Sequence, residues 1–212
     1  MGKKRAFLMS FEGIEGTGKS TQCRRLVNYL RRQGLKVIVL REPGSSVIGE
    51  QMRNILLHGK GKLSSFSEAL LFMVARTQLV LEKINPIFEK KDVIILDRYI
   101  DATIAYQGYG GDVDIKLLKQ LNNYAVSGVI PDLTILFDLT PKIGIKRSGR
   151  GDRFEKRKMS FHAKVRNGYL KLAKENPKRI KVIPVQGDIS SVQKTVRGIF
   201  ESAYRCGKRK GI

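Results

Sequence analysis

Residues 10–21 read SFEGIEGTGKST, and within them Gly13 to Ser20 spell G-x-x-x-x-G-K-S directly after the short apolar run Ala6 to Met9. No other stretch constrains the fold as tightly. In such a loop backbone N–H groups wrap phosphate oxygens, the lysine reaches the outer phosphates and the hydroxyl can ligate magnesium. The pattern is short, so its flanks must agree with it. Upstream, the apolar run suits a buried strand. Downstream, QCRRLVNYLRR (Gln22 to Arg32) repeats apolar residues at Leu26, Val27 and Leu30 with basic residues between, as an amphipathic helix does. Strand, glycine loop and helix is the order a phosphate loop needs, and a plain turn has no use for Lys19, Ser20 and Thr21 at a helix start. The expected phosphate-holding residues are therefore Gly13, Ile14, Glu15, Gly16, Thr17, Gly18, Lys19, Ser20 and Thr21.

Further short apolar runs follow at Lys36 to Leu40, Val93 to Leu96, Leu133 to Phe137 and Ile180 to Val185, and Pro184 in the last of these suits an edge strand. Helical patterns separate them. The longest runs from Phe66 to Lys90, with Ser65 or Ser67 as its cap, Glu68 in its first turn and Pro86 interrupting it late. Strands alternating with helices predict an α/β fold: a five-stranded parallel sheet covered by helices on both faces, in three layers. At 212 residues the chain suits one domain with a substantial core, residues 1–212. There are no repeats, low-complexity tracts or linkers.

The longest apolar run of note, Ala69 to Ala75, falls far short of the roughly 18 residues a membrane helix needs, and no signal-peptide pattern follows Lys3 to Arg5. Two cysteines far apart, Cys23 and Cys206, suggest neither a disulfide framework nor a zinc site. The expectation is a cytoplasmic protein. The net charge of +22 is concentrated at the C-terminal end, where residues 142–212 hold 21 Lys and Arg against 5 Asp and Glu. Such a field attracts polyanions, but charge runs are mostly solvated helix faces and the terminal KRKG reads as a frayed tail. A basic P-loop ATPase stimulated by nucleic acid is the alternative these charges raise. The aromatics of this region, Phe154, Phe161, Tyr169, Phe200 and Tyr204, fall at helical spacing rather than forming a strand-binding platform, so no nucleic-acid partner is expected.

Ligands of open parallel sheets bind beyond the carboxyl ends of the strands. Collected there are the phosphate loop, Arg41 and Glu42, Asp97 and Arg98, and Asp138. Asp97 suits the acidic position near a nucleotide's magnesium, with Ser20 as the second metal-side group. A hydrolytic motor commonly places a second carboxylate after this position to activate water, whereas here Arg98 follows. Its planar fork can hold a second phosphate against the end of ATP, the requirement of phosphoryl transfer. Residues 147–156, with Arg147, Arg150 and Arg153 around two glycines, have the composition of a lid that closes over phosphates.

The motifs FEGIEGTGKST (Phe11 to Thr21), REPG (Arg41 to Gly44), GEQMR (Gly49 to Arg53), LLFMVARTQ (Leu70 to Gln78), DRYIDATIAYQG (Asp97 to Gly108), PDLTILFDL (Pro131 to Leu139) and GRGDRFE (Gly149 to Glu155) together resemble the bacterial thymidylate kinase family over nearly the whole chain. The resemblance implies transfer of the ATP γ-phosphoryl group to dTMP with magnesium, a step toward dTTP, in a homodimer. Kinases for other nucleoside monophosphates or deoxynucleosides are the neighbouring alternative. It further implies that Phe72 stacks on thymine and Arg76 hydrogen-bonds a base carbonyl. An aromatic and an arginine four apart share one helix face. By the same matching Glu15 meets the sugar 3′-hydroxyl, Arg98 binds the acceptor phosphate and Tyr106 crowds the 2′ position. Thr103 and Gln107 lie near base or sugar, Arg41 and Arg53 near the acceptor, and Arg150 or Arg153 reaches the transferring phosphate, so the resemblance makes Lys19, Arg98, Arg150 and Arg153 the catalytic set. The long Phe66 to Lys90 helix and the Leu117, Leu118 and Leu121 face would serve the dimer. Two departures stand out. Ser45 replaces a glycine free to take positive φ, which predicts a shifted acceptor loop, and Ala102 replaces a hydroxyl beside the base.

Overall fold

The computed structural model describes residues 5–149 and 151–209, so Arg150 and the end of the KRKG tail lie outside the described residues. Strands β1 (Phe7–Glu12), β2 (Val37–Arg41), β3 (Val93–Asp97), β4 (Leu133–Asp138) and β5 (Ile180–Pro184) form one parallel sheet in the order β2-β3-β1-β4-β5. All five expected runs become strands. Three of them outlast their apolar stretch and end on a carboxylate, Glu12, Asp97 or Asp138. The ladder explains why: Phe11 pairs with Asp97 and Glu12 with Leu136, so backbone pairing carries the strand past the last apolar side chain. Pro184 closes the edge strand β5, where its missing N–H costs no ladder bond.

The alternating side chains of β1 divide the core. Phe7, Met9 and Phe11 face helices α1 (Lys19–Arg32) and α8 (Ile189–Arg209), packing with Leu26, Leu30, Val196 and Phe200. Leu8 faces the opposite layer with Leu79, Val80, Ile94 and Leu96. Ser10, on that same side, begins a buried polar chain. Its hydroxyl lies 2.8 Å from Thr134 Oγ1, which donates to Asp101, and Arg179 closes the chain with a bidentate pair to Asp101 at 2.6 and 2.8 Å. Arg179 is thus one of several C-terminal cations that are not a solvated charge. Arg166, held at 2.6 and 2.8 Å by Asp138, is another.

Between the strands lie α2 (Val47–His58), α3 (Ser65–Leu79), α4 (Ile100–Thr103), α5 (Ile115–Val126), α6 (Pro141–Ser148) and α7 (Met159–Glu175). The helix expected from Phe66 to Lys90 is interrupted, as expected, around Pro86, but its α turns already end at Leu79. Past Leu79 it widens into a π-helical turn, Val80–Ile84, then tightens into a 3-10 turn, Asn85–Ile87, around Pro86, which cannot continue an α ladder. Its cap is Ser64 rather than Ser65 or Ser67, with Ser64 Oγ accepting from Ser67 N at 3.0 Å. Leu118, expected on an outer face, is fully buried against Ile14, Ala105 and Val165. A second π-helical segment, Ile104–Gly110, carries the AYQG motif, and α7 presses on it closely enough that a Cβ on Gly110 would stand 2.7 Å from Phe161 and Val165. Among the described residues no helix is long and apolar enough to cross a membrane.

Candidate active site

The loop from Gly13 to Gly18 leaves β1 and enters α1 at Gly18, whose φ of 82° only glycine takes cheaply. Its tightest support comes from α6. A Cβ on Gly16 would sit 1.9 Å from the Gly144 carbonyl oxygen, and one on Gly144 would meet the Glu15 carbonyl at 2.5 Å. The Lys19 ammonium turns back over the loop and donates to the carbonyls of Gly13 (2.9 Å) and Ile14 (2.7 Å) and to Thr17 Oγ1 at 3.3 Å. Burial, helped by the Arg98 cation, pushes its pKa down to about 7. Ser20 Oγ faces Asp97 Oδ2 at 3.5 Å at the mouth of the loop.

Arg98 stands beside the loop at φ 68°, an unusual backbone conformation for an arginine, with its N–H tied to the Phe11 carbonyl at 3.0 Å. One guanidinium nitrogen donates to the Gly13 carbonyl (2.9 Å) and Tyr169 hydroxyl (3.2 Å). The other donates to Glu15 Oε1 (3.0 Å) and the Tyr106 hydroxyl (3.1 Å). Tyr106 also donates to Glu15 Oε1, at 2.5 Å. Burial alone would raise the pKa of Glu15, but Arg98, Lys19 and the Tyr106 hydroxyl together hold it below the ordinary carboxylate range. The second oxygen, Oε2, has no hydrogen-bond partner among the described residues and lies 3.8 Å from Nδ1 of His162, a fully buried imidazole whose nitrogens are likewise unbonded.

Beneath this group lies Glu12, which accepts from Tyr99 N (2.7 Å) and from the Tyr169 hydroxyl (2.8 Å). Burial, and then the neighbouring Asp101, push its pKa up to about 8. Glu12 and His162 carry no expected role in the sequence, and Tyr169 is read there only as an aromatic at helical spacing. Their only signal is position, one polar residue at a strand end and two polar faces on α7.

At the far side of the cleft Arg76 is completely buried. Its Nε and Nη2 clasp Glu42 at 2.6 and 2.9 Å, Nη2 also reaches Thr103 Oγ1 (2.9 Å) and the Tyr99 carbonyl (3.2 Å), and Nη1 bonds Asn122. Burial raises the Glu42 pKa and Arg76 counters it. Phe72, one turn earlier on α3, stands 6.2 Å from the ring of Phe154.

These groups line one cleft of about 700 Å³: the loop from Glu15 to Thr21, Arg41, Arg53, Phe72, Arg76, Asp97, Arg98, Tyr106 and Gln107, with Ala102 at its wall. The structure thus brings together most of the expected set. Thr103 is not on the cleft wall but behind it, as an acceptor for Arg76. Arg41 is paired with Glu50 at 3.0 and 3.1 Å, and Arg53 donates to the Pro43 carbonyl at 3.0 Å. Ser45 takes φ 64° all the same, its hydroxyl accepting from Arg41 N and its N–H donating to Glu50, each at 2.8 Å. Those two bonds hold Ser45 in a conformation that glycine adopts without strain.

In the 147–156 segment, Arg147, Ser148, Asp152 and Phe154 line the cleft, while Arg153 lies outside it, bonded to the Gly59 carbonyl. The segment's described residues are tied to one another by hydrogen bonds. Asp152 Oδ1 accepts from Phe154 N (2.9 Å) and Glu155 N (3.1 Å), and Glu155 accepts from Ser148 and from Gly151 N.

A glycine loop on the central strand of a 2-3-1-4-5 parallel sheet, with arginines lining the same cleft, defines a P-loop phosphotransferase of the nucleotide-kinase type. Comparison with known proteins narrows the class. The thymidylate kinase family model matches residues 11–196. A thymidylate kinase of Thermoanaerobacter sp. (strain X514) is 44% identical over 190 residues, covering 89% of this chain and 94% of the relative. One from Kosmotoga olearia is 41% identical over 206 residues, covering 96% and 98%. The crystal structure of thymidylate kinase from Ehrlichia chaffeensis superposes with a TM-score of 0.78 at 34% identity, over 92% of this chain and 98% of that one. The chain belongs to the thymidylate kinase family.

Proposed function

We infer that this protein transfers the γ-phosphoryl group of ATP to dTMP and releases dTDP and ADP. The observation that carries the reading is that a single cleft joins a phosphate loop to Arg98, Glu15 and Tyr106 at one end and to Phe72, Arg76 and Gln107 at the other. A phosphate oxygen of dTMP attacks the γ-phosphorus as its bond to the ADP oxygen breaks, so the protein's part is positioning and charge neutralisation. Loop N–H groups and Lys19 hold the ATP phosphates. Arg98, kept charged by Glu15 and two tyrosine hydroxyls, binds the acceptor phosphate, and Arg147 or Arg150 approaches from the lid. Arg153 serves by bracing the lid on Gly59.

The Ser20 hydroxyl and Asp97 carboxylate offer the hard oxygen donors magnesium prefers, and no larger cluster of His, Cys, Asp or Glu competes for a metal among the described residues. Bound there with the ATP phosphates, magnesium supplies charge neutralisation.

Glu15 takes the sugar 3′-hydroxyl, Tyr106 excludes a 2′-hydroxyl and Phe72 stacks on the base. Arg41 and Arg53 border the acceptor site. The protein works as one catalytic unit in the cytoplasm and pairs through the exposed stripe Phe66, Leu70, Val74 and Leu81. Sedimentation of wild type against Leu70→Lys decides the pairing, which is lost in the variant if the stripe is the interface. The activity is tested by coupled ADP release with Mg-ATP and dTMP, dUMP, dCMP, dGMP or the ribose analogue of dTMP. Preferred turnover of dTMP is expected, and equal turnover of all five would overturn the reading.

A further inference from the structure

Gln107 lies on the cleft wall, fully buried, on the π-helical segment. Its Nε2 donates to Glu68 Oε2 at 3.1 Å, while its Oε1 has no hydrogen-bond partner among the described residues. Glu68 is itself fully buried in the first turn of α3, and its other oxygen accepts from Arg157. Arg157 comes from the loop before α7 and rests on two rings, 4.5 Å from the centroid of Phe161 and 5.4 Å from that of Phe154. Three segments remote in sequence meet to fix one side-chain amide.

The chemistry of the chain is directional. Arginine has only donors, and both Glu68 oxygens act as acceptors, one for Arg157 and one for Gln107. An acceptor beside Gln107 leaves that amide one satisfied orientation: the NH2 toward Glu68 and the carbonyl oxygen left over. Among the described residues the buried carboxyl and amide oxygens without a hydrogen bond are Glu15 Oε2, Glu42 Oε1 and Gln107 Oε1, of which the first belongs to the phosphate end and the second is paired with Arg76 Nε at 2.6 Å. Gln107 Oε1 is the acceptor available at the base end. Thymine presents one ring donor, N3–H, whereas cytosine presents an acceptor at N3.

We propose that Glu68, held by Arg157, is a specificity-determining positioning residue: it locks Gln107 with its acceptor toward the substrate and so selects a base carrying an N3–H. The proposal rests on the dTMP reading above and deepens it. Glu68 does not touch substrate, and its effect passes through the amide.

The test is Glu68→Gln. A glutamine there still accepts from Arg157 but turns its own NH2 toward Gln107, so the Gln107 amide reverses and shows a donor to the base. Steady-state kinetics with dTMP and dCMP should show the kcat/KM ratio dTMP:dCMP falling by about tenfold or more, chiefly through the KM for dTMP, with the KM for ATP unchanged. A loss of activity equal for both bases, or an unchanged ratio, would overturn the proposal, since a merely structural role moves both substrates together. Should Glu68→Gln fail to fold, the wild-type protein decides with 3-methyl-dTMP, which lacks the N3 donor. Binding about tenfold or more weaker than dTMP is expected, and equal binding would sink the acceptor role. A wild type that does not turn over dTMP overturns the functional reading itself. A dTMP-selective wild type with an unchanged Glu68→Gln ratio overturns this inference alone.

Discussion

Arg76 and Arg98 both line the cleft and both pair with glutamates, yet they are built differently. Arg76 is sealed from solvent, and its donors are distributed over Glu42, Asn122, Thr103 and the Tyr99 carbonyl. Arg98 keeps 20% of its side chain exposed and shares its donors among a loop carbonyl, Glu15 and two tyrosine hydroxyls. The first cation is consumed in holding three elements together and offers a fixed wall. The second is held by groups that belong to the reacting end of the cleft, so its charge is available to a phosphate. Burial of an ion pair therefore does not reveal its task. What distinguishes the two is whether the partners close the guanidinium off or leave it facing the cleft.

The contrast predicts opposite signatures when each is removed. Arg76→Ala leaves the Glu42 carboxylate buried and uncompensated, and should cost about 3–5 kcal/mol of stability, read as a fall in the urea midpoint. The double variant Arg76→Met, Glu42→Gln should recover part of it, and a single variant as stable as wild type would show Arg76 to be as dispensable as a surface charge. Arg98→Ala should instead lower kcat by about 10²–10³-fold with a much smaller change in midpoint. Arg98→Lys should not restore it, because an ammonium cannot reproduce the planar fork. Tyr106→Phe removes one donor to Glu15 and one acceptor for Arg98, and about a tenfold loss of kcat/KM for dTMP is expected, with the KM for ATP unmoved.

The smallest effect concerns pH. Glu12, pushed from 4.5 up to about 8, keeps its proton in the fold after the unfolded chain has lost it, so its contribution makes stability fall as pH rises from about 4.5 to 8. Lys19, pushed from 10.5 down to about 7, sheds its proton first in the fold, so its contribution makes stability rise between about 7 and 10.5. Glu12→Gln abolishes the first slope. The difference in unfolding midpoint between variant and wild type should grow in the variant's favour from about pH 4.5 to 8. A difference constant across that range would mean that Glu12 titrates as an exposed carboxylate.

The sheet was legible because each strand is a short apolar run and the loop spacing names its own position. The site was legible where one contiguous motif carries it, as from Gly13 to Thr21. What could not be read are contacts closed by topology. Glu42, Thr103 and Asn122 converge on Arg76 from β2–α2, α4 and α5, and no spacing links them. The π-helical segment was hidden for another reason: no residue spacing in IAYQGYG distinguishes π from α winding, and α7, which packs directly against it, comes from far along the chain. Thr103, matched to the substrate by resemblance, proved to be a support for Arg76. Ser45 takes a left-handed φ of 64° in spite of its side chain, in a turn held by two hydrogen bonds of its own.

Gly144 gives the motif a missing letter. Even alanine there would drive a methyl group into the backbone of Glu15 and displace the phosphate loop, so the position is restricted by the loop although it stands on a helix encoded far downstream. The working signature of this fold is thus discontinuous. For protein engineering the consequence is practical: α6 and the segment it launches form a cassette that must be exchanged together with a glycine at its centre, because a lid grafted without that glycine would arrive with its nucleotide cradle already deformed.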